Sequence, residues 1–143
     1  MYAKQRGKTT VHILLTIVVL VIILVQAIFM KDLTPLEDAG VIQSIAQQFR
    51  IKTSFLVFVI NIAINFVEYA ILGASLVLSM HDIKKQLMIG LPFCIGIIYA
   101  GVVERCRQHI HGLSFSTSDM VVCLLGLLIG IVICWTVRRE STE

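Results

Sequence analysis

Apolar residues form four long runs along the chain, and polar residues collect in the segments between them. The runs cover approximately residues 11–30, 53–80, 86–106 and 119–138. A helix that crosses a bilayer needs about 20 mostly apolar residues, so each run is long enough to span. Backbone polar groups find no partner in hydrocarbon, so the runs should be helices rather than open strands. The pattern predicts an all-α polytopic membrane protein with four transmembrane helices, forming a single domain over residues 1–143.

The composition supports a lipid-embedded chain and argues against other classes of protein. Apolar residues make up 57% of the 143 residues, which is more than a soluble core of this size could bury. The net charge of +3 comes with no basic stripe carrying interleaved aromatics, so no nucleic-acid partner is expected. The four cysteines show no CxxC pair and no zinc-type spacing, so we expect no disulfide framework, no metal and no cofactor.

Basic residues are distributed unevenly between the two sides of the predicted spans. Five lie on one side and seven on the other. The seven are in short segments next to the helix ends: Lys4, Arg6, Lys8, Lys84, Lys85, Arg138 and Arg139. The positive-inside rule therefore predicts that both termini are cytoplasmic. The first run is longer than the apolar part of a signal peptide and has no small-residue cleavage site after it, so we expect a retained span.

A helix is also predicted between the first two spans. Thr34, Pro35 and Glu37 form a capping-box signature, and Val41, Ile45 and Phe49 then recur every four residues. Such a segment should lie along the outer membrane interface. The alternative is a solvated loop with one helical turn.

Glu68 is the most informative single residue, because it lies near the middle of the second run. An acidic side chain at the centre of a spanning helix costs about 2.5–3.5 kcal/mol on insertion scales, so such residues generally face the protein interior and mark a function. Asn61, Asn65, Ser75 and Ser79 fall on the same helical face. The alternative is a seam of interhelical hydrogen bonds, worth about 0.6 kcal/mol each, which we favour for the Asn and Ser residues but not for Glu68.

Further polar residues lie at the predicted outer ends of the last two spans. Glu104 and Gln108 share a face of the third helix, while Asp119 opens the fourth, where its first role should be to cap the helix. If the spans pack together, these side chains meet Glu68 in one cavity that opens toward the outer leaflet. Arg105 and Arg107 are interpreted as basic residues that extend to the lipid head groups. The proposed ligand-binding residues are Asn61, Asn65, Glu68, Tyr69, Glu104, Gln108 and Asp119, with no catalytic residue assigned.

Small residues form one face of the fourth predicted helix. Cys123, Gly126, Gly130 and Cys134 recur at helical spacing and contain a GxxxG step. Such a face lets a neighbouring helix approach closely, so Gly126 and Gly130 are interpreted as helix-packing residues.

Two motifs together resemble the VanZ-like family of small bacterial membrane proteins, named after a teicoplanin resistance determinant. The first is Asn65-Phe66-Val67-Glu68-Tyr69-Ala70-Ile71-Leu72-Gly73; the second comprises Glu104 to Gln108, Gly112, Ser116, Asp119 and residues 125–130. The chain departs from the family pattern at Asn65, where the family usually has His, at Arg105, usually acidic, and at Leu113, usually Arg. The resemblance implies a location in the bacterial plasma membrane and a role at the cell envelope, lowering the effect of glycopeptides that bind the wall precursor.

Three interpretations of function follow. The first is a VanZ-like protein that is neither a transporter nor an enzyme, and that binds a lipid-linked wall precursor or the glycopeptide. The second is a small proton-coupled multidrug-type transporter, which would work as a dimer and could use the small-residue face of the fourth helix as its interface. The third is an enzyme that acts on lipid-linked wall precursors, with Glu68 or Glu104 as acid or base. A homo-oligomer is compatible with each.

Overall fold

A computed structural model describes residues 2–29, 40–80, 87–112 and 116–140 of the chain. Over these residues the backbone forms five helices and no strand. The helices are α1 (Tyr2–Phe29), α2 (Gly40–Phe49), α3 (Thr53–Ser79), α4 (Leu87–His111) and α5 (Thr117–Glu140).

Four helices are long and apolar enough to cross a membrane, which confirms the predicted all-α membrane fold. The apolar stretches are Thr10–Phe29, Thr53–Ser79, Ile89–His111 and Thr117–Val137. The third stretch continues beyond the predicted end at residue 106. Its charged residues do not end the helix, because Glu104 and Arg107 lie one turn apart and form an ion pair along it.

Consecutive spans run in opposite directions. Thr16, in the middle of α1, contacts Ser75 and Ser79 near the end of α3, whereas the later α1 residue Gln26 lies by the earlier α3 residue Glu68, so these two helices are antiparallel. The backbone N–H of Ser116, just before α5, reaches Glu104 in the last third of α4, so α4 and α5 are also antiparallel. We call the end of the bundle where α1 and α4 end and α3 and α5 begin the outer end, following the predicted orientation.

The most extensive helix interface is the one between α3 and α5. Gly126 and Gly130 of α5 lie against the backbone carbonyl groups of Phe66 and Ala70 in α3, where a Cβ atom would overlap backbone atoms. Close backbone approach is what small residues permit in membrane helix pairs. The small-residue face of α5 is therefore used for packing within the chain, at Gly126 and Gly130, rather than as the dimer interface suggested for the transporter interpretation.

A hydrogen-bonded cluster joins α1 to α3 toward the inner end of the bundle. The Thr16 hydroxyl lies 3.0 Å from the Ser75 carbonyl oxygen and 2.6 Å from the Ser79 hydroxyl. The Ser79 hydroxyl also lies 3.0 Å from the His12 carbonyl oxygen. The Ser79 hydroxyl therefore joins α1 to α3, the role that the sequence favoured for it, whereas the Ser75 hydroxyl donates to the Leu72 carbonyl oxygen of its own helix at 2.8 Å.

Replacing Thr16 by valine is expected to lower the free energy of unfolding by about 0.6–1.7 kcal/mol, the range found for interhelical hydrogen bonds in membranes. This change can be measured by unfolding the protein in mixed micelles with an increasing fraction of a denaturing detergent. Thr136→Val is the matched control, because the exposed Thr136 hydroxyl bonds only to carbonyl groups of its own helix. An equal loss in both variants would contradict an interhelical role for Thr16.

The segment before the second span is helical over Gly40–Phe49, which excludes the alternative of a loop with a single helical turn. Ile42 and Ala46 are buried, while Val41 and Phe49 are 71% and 68% exposed. The predicted apolar face is therefore turned away from the bundle, as suits a helix lying in a membrane interface. The capping-box residues, in segment 34–37, lie outside the described residues.

Candidate functional site

The four spans surround a polar cavity of about 70 Å³ in the outer half of the bundle. A space of this size holds a few water molecules or one small polar group. Every span contributes polar side chains to its lining: Gln26 from α1, Asn61, Asn65, Glu68 and Tyr69 from α3, Glu104 and Arg107 from α4, and Asp119 from α5.

Six of the seven proposed ligand-binding residues line this cavity, and Gln108 does not. Gln108 lies instead in a shallow groove between α4 and α5, beside Gly101 and Arg105. Four residues advance a helix by slightly more than one turn, so Gln108 is rotated by about 40° from Glu104. That rotation carries Gln108 out of the cavity and toward the outside of the bundle.

Glu68 faces protein groups in the bundle interior. The Gln26 side chain lies within hydrogen-bonding reach of its carboxyl group, and the Arg107 guanidinium is close enough to interact with it electrostatically. Glu68 is the sixteenth of the 27 residues of α3, so it is the deepest of the carboxyl groups that line the cavity. A carboxyl group placed this deep needs such polar neighbours, because hydrocarbon solvates it very poorly.

Glu104 ties the outer ends of α4 and α5 together. One carboxylate oxygen lies 3.9 Å from the Arg107 guanidinium, and the other accepts the Ser116 backbone N–H at 3.4 Å. The Ser116 hydroxyl in turn accepts the backbone N–H of Asp119 at 3.3 Å. Ser116 therefore provides the helix cap that the sequence assigned to Asp119, and the Asp119 side chain lines the cavity.

Asn65 carries a buried hydrogen-bond donor that has no partner among the described residues. The atom is its amide nitrogen Nδ2. Leaving a buried donor unpaired costs about 1–3 kcal/mol, so such a group generally meets a water molecule or a ligand. Because Asn65 lines the cavity, an acceptor placed there would satisfy it.

Two cavity residues, Gln26 and Arg107, are absent from the residues proposed from the sequence. Gln26 could have been noticed as an amide in an otherwise apolar part of the first run. Arg107 was expected to extend to the lipid head groups like Arg105. Arg105 is indeed exposed, whereas the Arg107 side chain is only 22% exposed and lines the cavity. The sequence signal for placing Arg107 beside Glu104 was their spacing of three residues, which favours an ion pair on one helix face.

Comparison of the chain with protein-family models, with curated proteins and with solved structures finds no match. The chemistry of the site must therefore be argued from its own residues.

The cavity lining is acidic. Three carboxyl groups, of Glu68, Glu104 and Asp119, share the described lining with one guanidinium group, of Arg107. With all four ionised, the formal charge is three negative and one positive, or −2. Within the described residues, no three His, Cys, Asp or Glu side chains are placed to hold a metal ion. The arrangement is suited to binding a group that donates hydrogen bonds or carries positive charge, with Asn65 as a donor for an adjacent acceptor.

Proposed function

We propose that this chain is a VanZ-like protein of the bacterial plasma membrane, and that it lowers sensitivity to glycopeptides such as teicoplanin by binding an outer-leaflet ligand in its polar cavity. One observation carries the proposal. Glu68 and Asp119 are 51 positions apart and belong to the two separate motifs of the resemblance, yet they line one cavity together with Tyr69. Residues that share a motif pattern and also share a cavity are expected when the pattern reflects a binding site.

The size and chemistry of the cavity support binding of one part of a larger ligand. A space of about 70 Å³ takes a single polar group rather than a whole glycopeptide. A lipid-linked wall precursor offers such groups on its head while its tail stays in the bilayer. Asn65 stands where the family usually has His, and an amide forms hydrogen bonds but does not act as an acid or a base near neutral pH. That difference favours binding over acid–base chemistry.

An enzyme acting on lipid-linked wall precursors is the second candidate. Its support is that Glu104 and Asp119 line the same cavity as Glu68, so a second carboxyl group is available to act as acid or base.

Glu68→Ala is expected to abolish glycopeptide protection while the protein still inserts, because it removes the carboxyl group at the deep end of the cavity. The measurement is teicoplanin susceptibility of a sensitive bacterial host that expresses the parent chain or the variant, with membrane levels compared by immunoblot. Protection by Glu68→Ala equal to that of the parent would contradict the proposal.

Glu68→Gln is the matched variant that separates the two candidates. Glutamine keeps the shape and hydrogen-bonding capacity of the side chain but cannot transfer a proton. A binding protein should keep much of its protection, whereas an enzyme that uses Glu68 as acid or base should lose protection as fully as Glu68→Ala does.

A further inference from the structure

A groove lies on the outside of the bundle, between α4 and α5. It has a volume of about 340 Å³ and is lined by Gly101, Glu104, Arg105, Gln108 and Met120. Glu104 and Met120 also line the central cavity. These two side chains therefore border both the groove and the cavity.

The depth of the groove along α4 places it next to lipid. Gly101 lies ten residues before the end of α4, which corresponds to about 15 Å along the helix axis. The hydrocarbon core of a bilayer is about 30 Å thick, so the inner part of the groove is at membrane depth. Glu104, Arg105 and Gln108 are unfavourable next to acyl chains unless they meet polar groups. A ligand that brings polar groups into the membrane region would find such partners here.

We infer that the groove is a lateral portal, through which the head group of an outer-leaflet phospholipid-like amphiphile reaches the central cavity while its tails stay in the bilayer. This inference rests on the proposed function and names the class of its ligand. The positive charge at the groove and the negative charges further in favour a phosphate-linked head group. The exposed Arg105 lies at the groove, where a guanidinium can bind a phosphate, and the carboxyl groups of Glu68 and Asp119 lie further in, where they accept hydrogen bonds from amines or hydroxyls.

Glu104 and Met120 differ in how readily their side chains can move. Met120 has an unbranched, flexible side chain that can change rotamer to widen the passage. Glu104 is held by Arg107 and by the Ser116 backbone N–H. We therefore expect the passage between the groove and the cavity to open by movement of Met120, with the contacts of Glu104 that join α4 to α5 kept.

Two glycines of α4 provide a matched pair of variants. A Cβ atom built at Gly101 or at Gly90 meets nothing within 4 Å, so both positions tolerate a side chain without overlap. Leucine at Gly101 fills the groove, whereas leucine at Gly90 lies near the opposite end of the same helix. Both changes replace glycine by a better helix former, so neither should prevent folding.

The test is photolabelling of the purified full chain in vesicles of phosphatidylethanolamine and phosphatidylglycerol. The probe is a trace of phosphatidylethanolamine that carries a small diazirine on its head-group amine, and mass spectrometry maps the label. In the parent chain and in Gly90→Leu, we expect label on the cavity-lining segment of α3 that contains Asn61 and Asn65. In Gly101→Leu, labelling of that segment should fall several-fold.

A second probe distinguishes lateral access from access through water. Glycerophosphoethanolamine with the same diazirine has no acyl chains and should label the α3 segment weakly. Labelling by this soluble compound as strong as by the lipid probe, or undiminished lipid labelling in Gly101→Leu, would overturn the portal. The labelling does not depend on drug resistance. Loss of labelling in Gly101→Leu together with full protection by Glu68→Ala would therefore support the portal and refute the proposed function, and the reverse pattern would do the opposite.

Discussion

Replacing Gly130 by alanine is expected to lower the free energy of unfolding by about 1–3 kcal/mol, and leucine at this position should prevent the native bundle from forming. An added Cβ at Gly130 overlaps the carbonyl group of Ala70. That obstacle is backbone rather than the flexible end of a side chain, so α3 and α5 can accommodate it only by moving apart. Their interface is the largest in the molecule, so the cost falls on the contact that contributes most to the fold.

The Gly130 prediction can be checked by thermal unfolding in detergent, with Gly90→Ala as the control. Gly90 has open space at its Cβ position, so alanine there should leave the stability unchanged or slightly raised. Gly126→Ala should resemble Gly130→Ala, because Gly126 lies against the carbonyl group of Phe66. Stability of Gly130→Ala equal to that of Gly90→Ala would show that α3 and α5 do not approach as closely as described.

Replacing Arg107 by glutamine is expected to destabilise the protein by about 1–3 kcal/mol, the cost of leaving partly buried carboxyl groups without their charged partner. Arg107 supplies the one guanidinium group in the described cavity lining and lies 3.9 Å from Glu104. Without it, Glu68, Glu104 and Asp119 share the cavity with no opposing charge. Arg105→Gln is the matched control, because Arg105 is exposed and lies two positions away on the same helix.

A double variant separates the ion pair from other roles of Arg107. Glu104→Gln removes the carboxylate of the pair, so adding it to Arg107→Gln should recover part of the lost stability. Denaturant unfolding of the parent chain, both single variants and the double variant gives the coupling free energy. A double variant whose loss equals the sum of the single losses would show that the two side chains do not interact, and an effect of Arg105→Gln as large as that of Arg107→Gln would remove the argument from burial.

The rotation of α4 decided which polar residues reach the cavity, and the sequence alone did not predict that rotation. Glu104, Arg107 and Gln108 all lie within about one turn of the same helix. Packing of α4 against α1 and α5 places Glu104 and Arg107 inside and leaves Gln108 at the groove. A difference of 40° in rotation is too small for a pattern of charged residues to resolve, because all three positions are compatible with a polar helix end.

The contribution of α1 to the cavity also could not be predicted from the sequence. Gln26 faces Glu68 because α1 packs beside α3 in opposite direction, and Tyr99 of α4 donates a hydrogen bond to the Leu20 carbonyl group of α1. Neither contact follows from spacing within one helix. Each depends on which spans are neighbours and at what depth they meet.

The sequence by itself determined the number of spans and the depth of Glu68 along its helix, because the length of an apolar run and the position of a charge within it are local properties of the chain in a bilayer. It also marked Gly126 and Gly130 as points of close approach, since only small side chains allow backbones to meet. The tertiary structure decided that the partner of these glycines is α3 of the same chain, and that Arg107, not Gln108, lines the cavity with the carboxyl groups. Those outcomes depend on helix rotation and neighbour choice, which are set by the packing of all four spans at once.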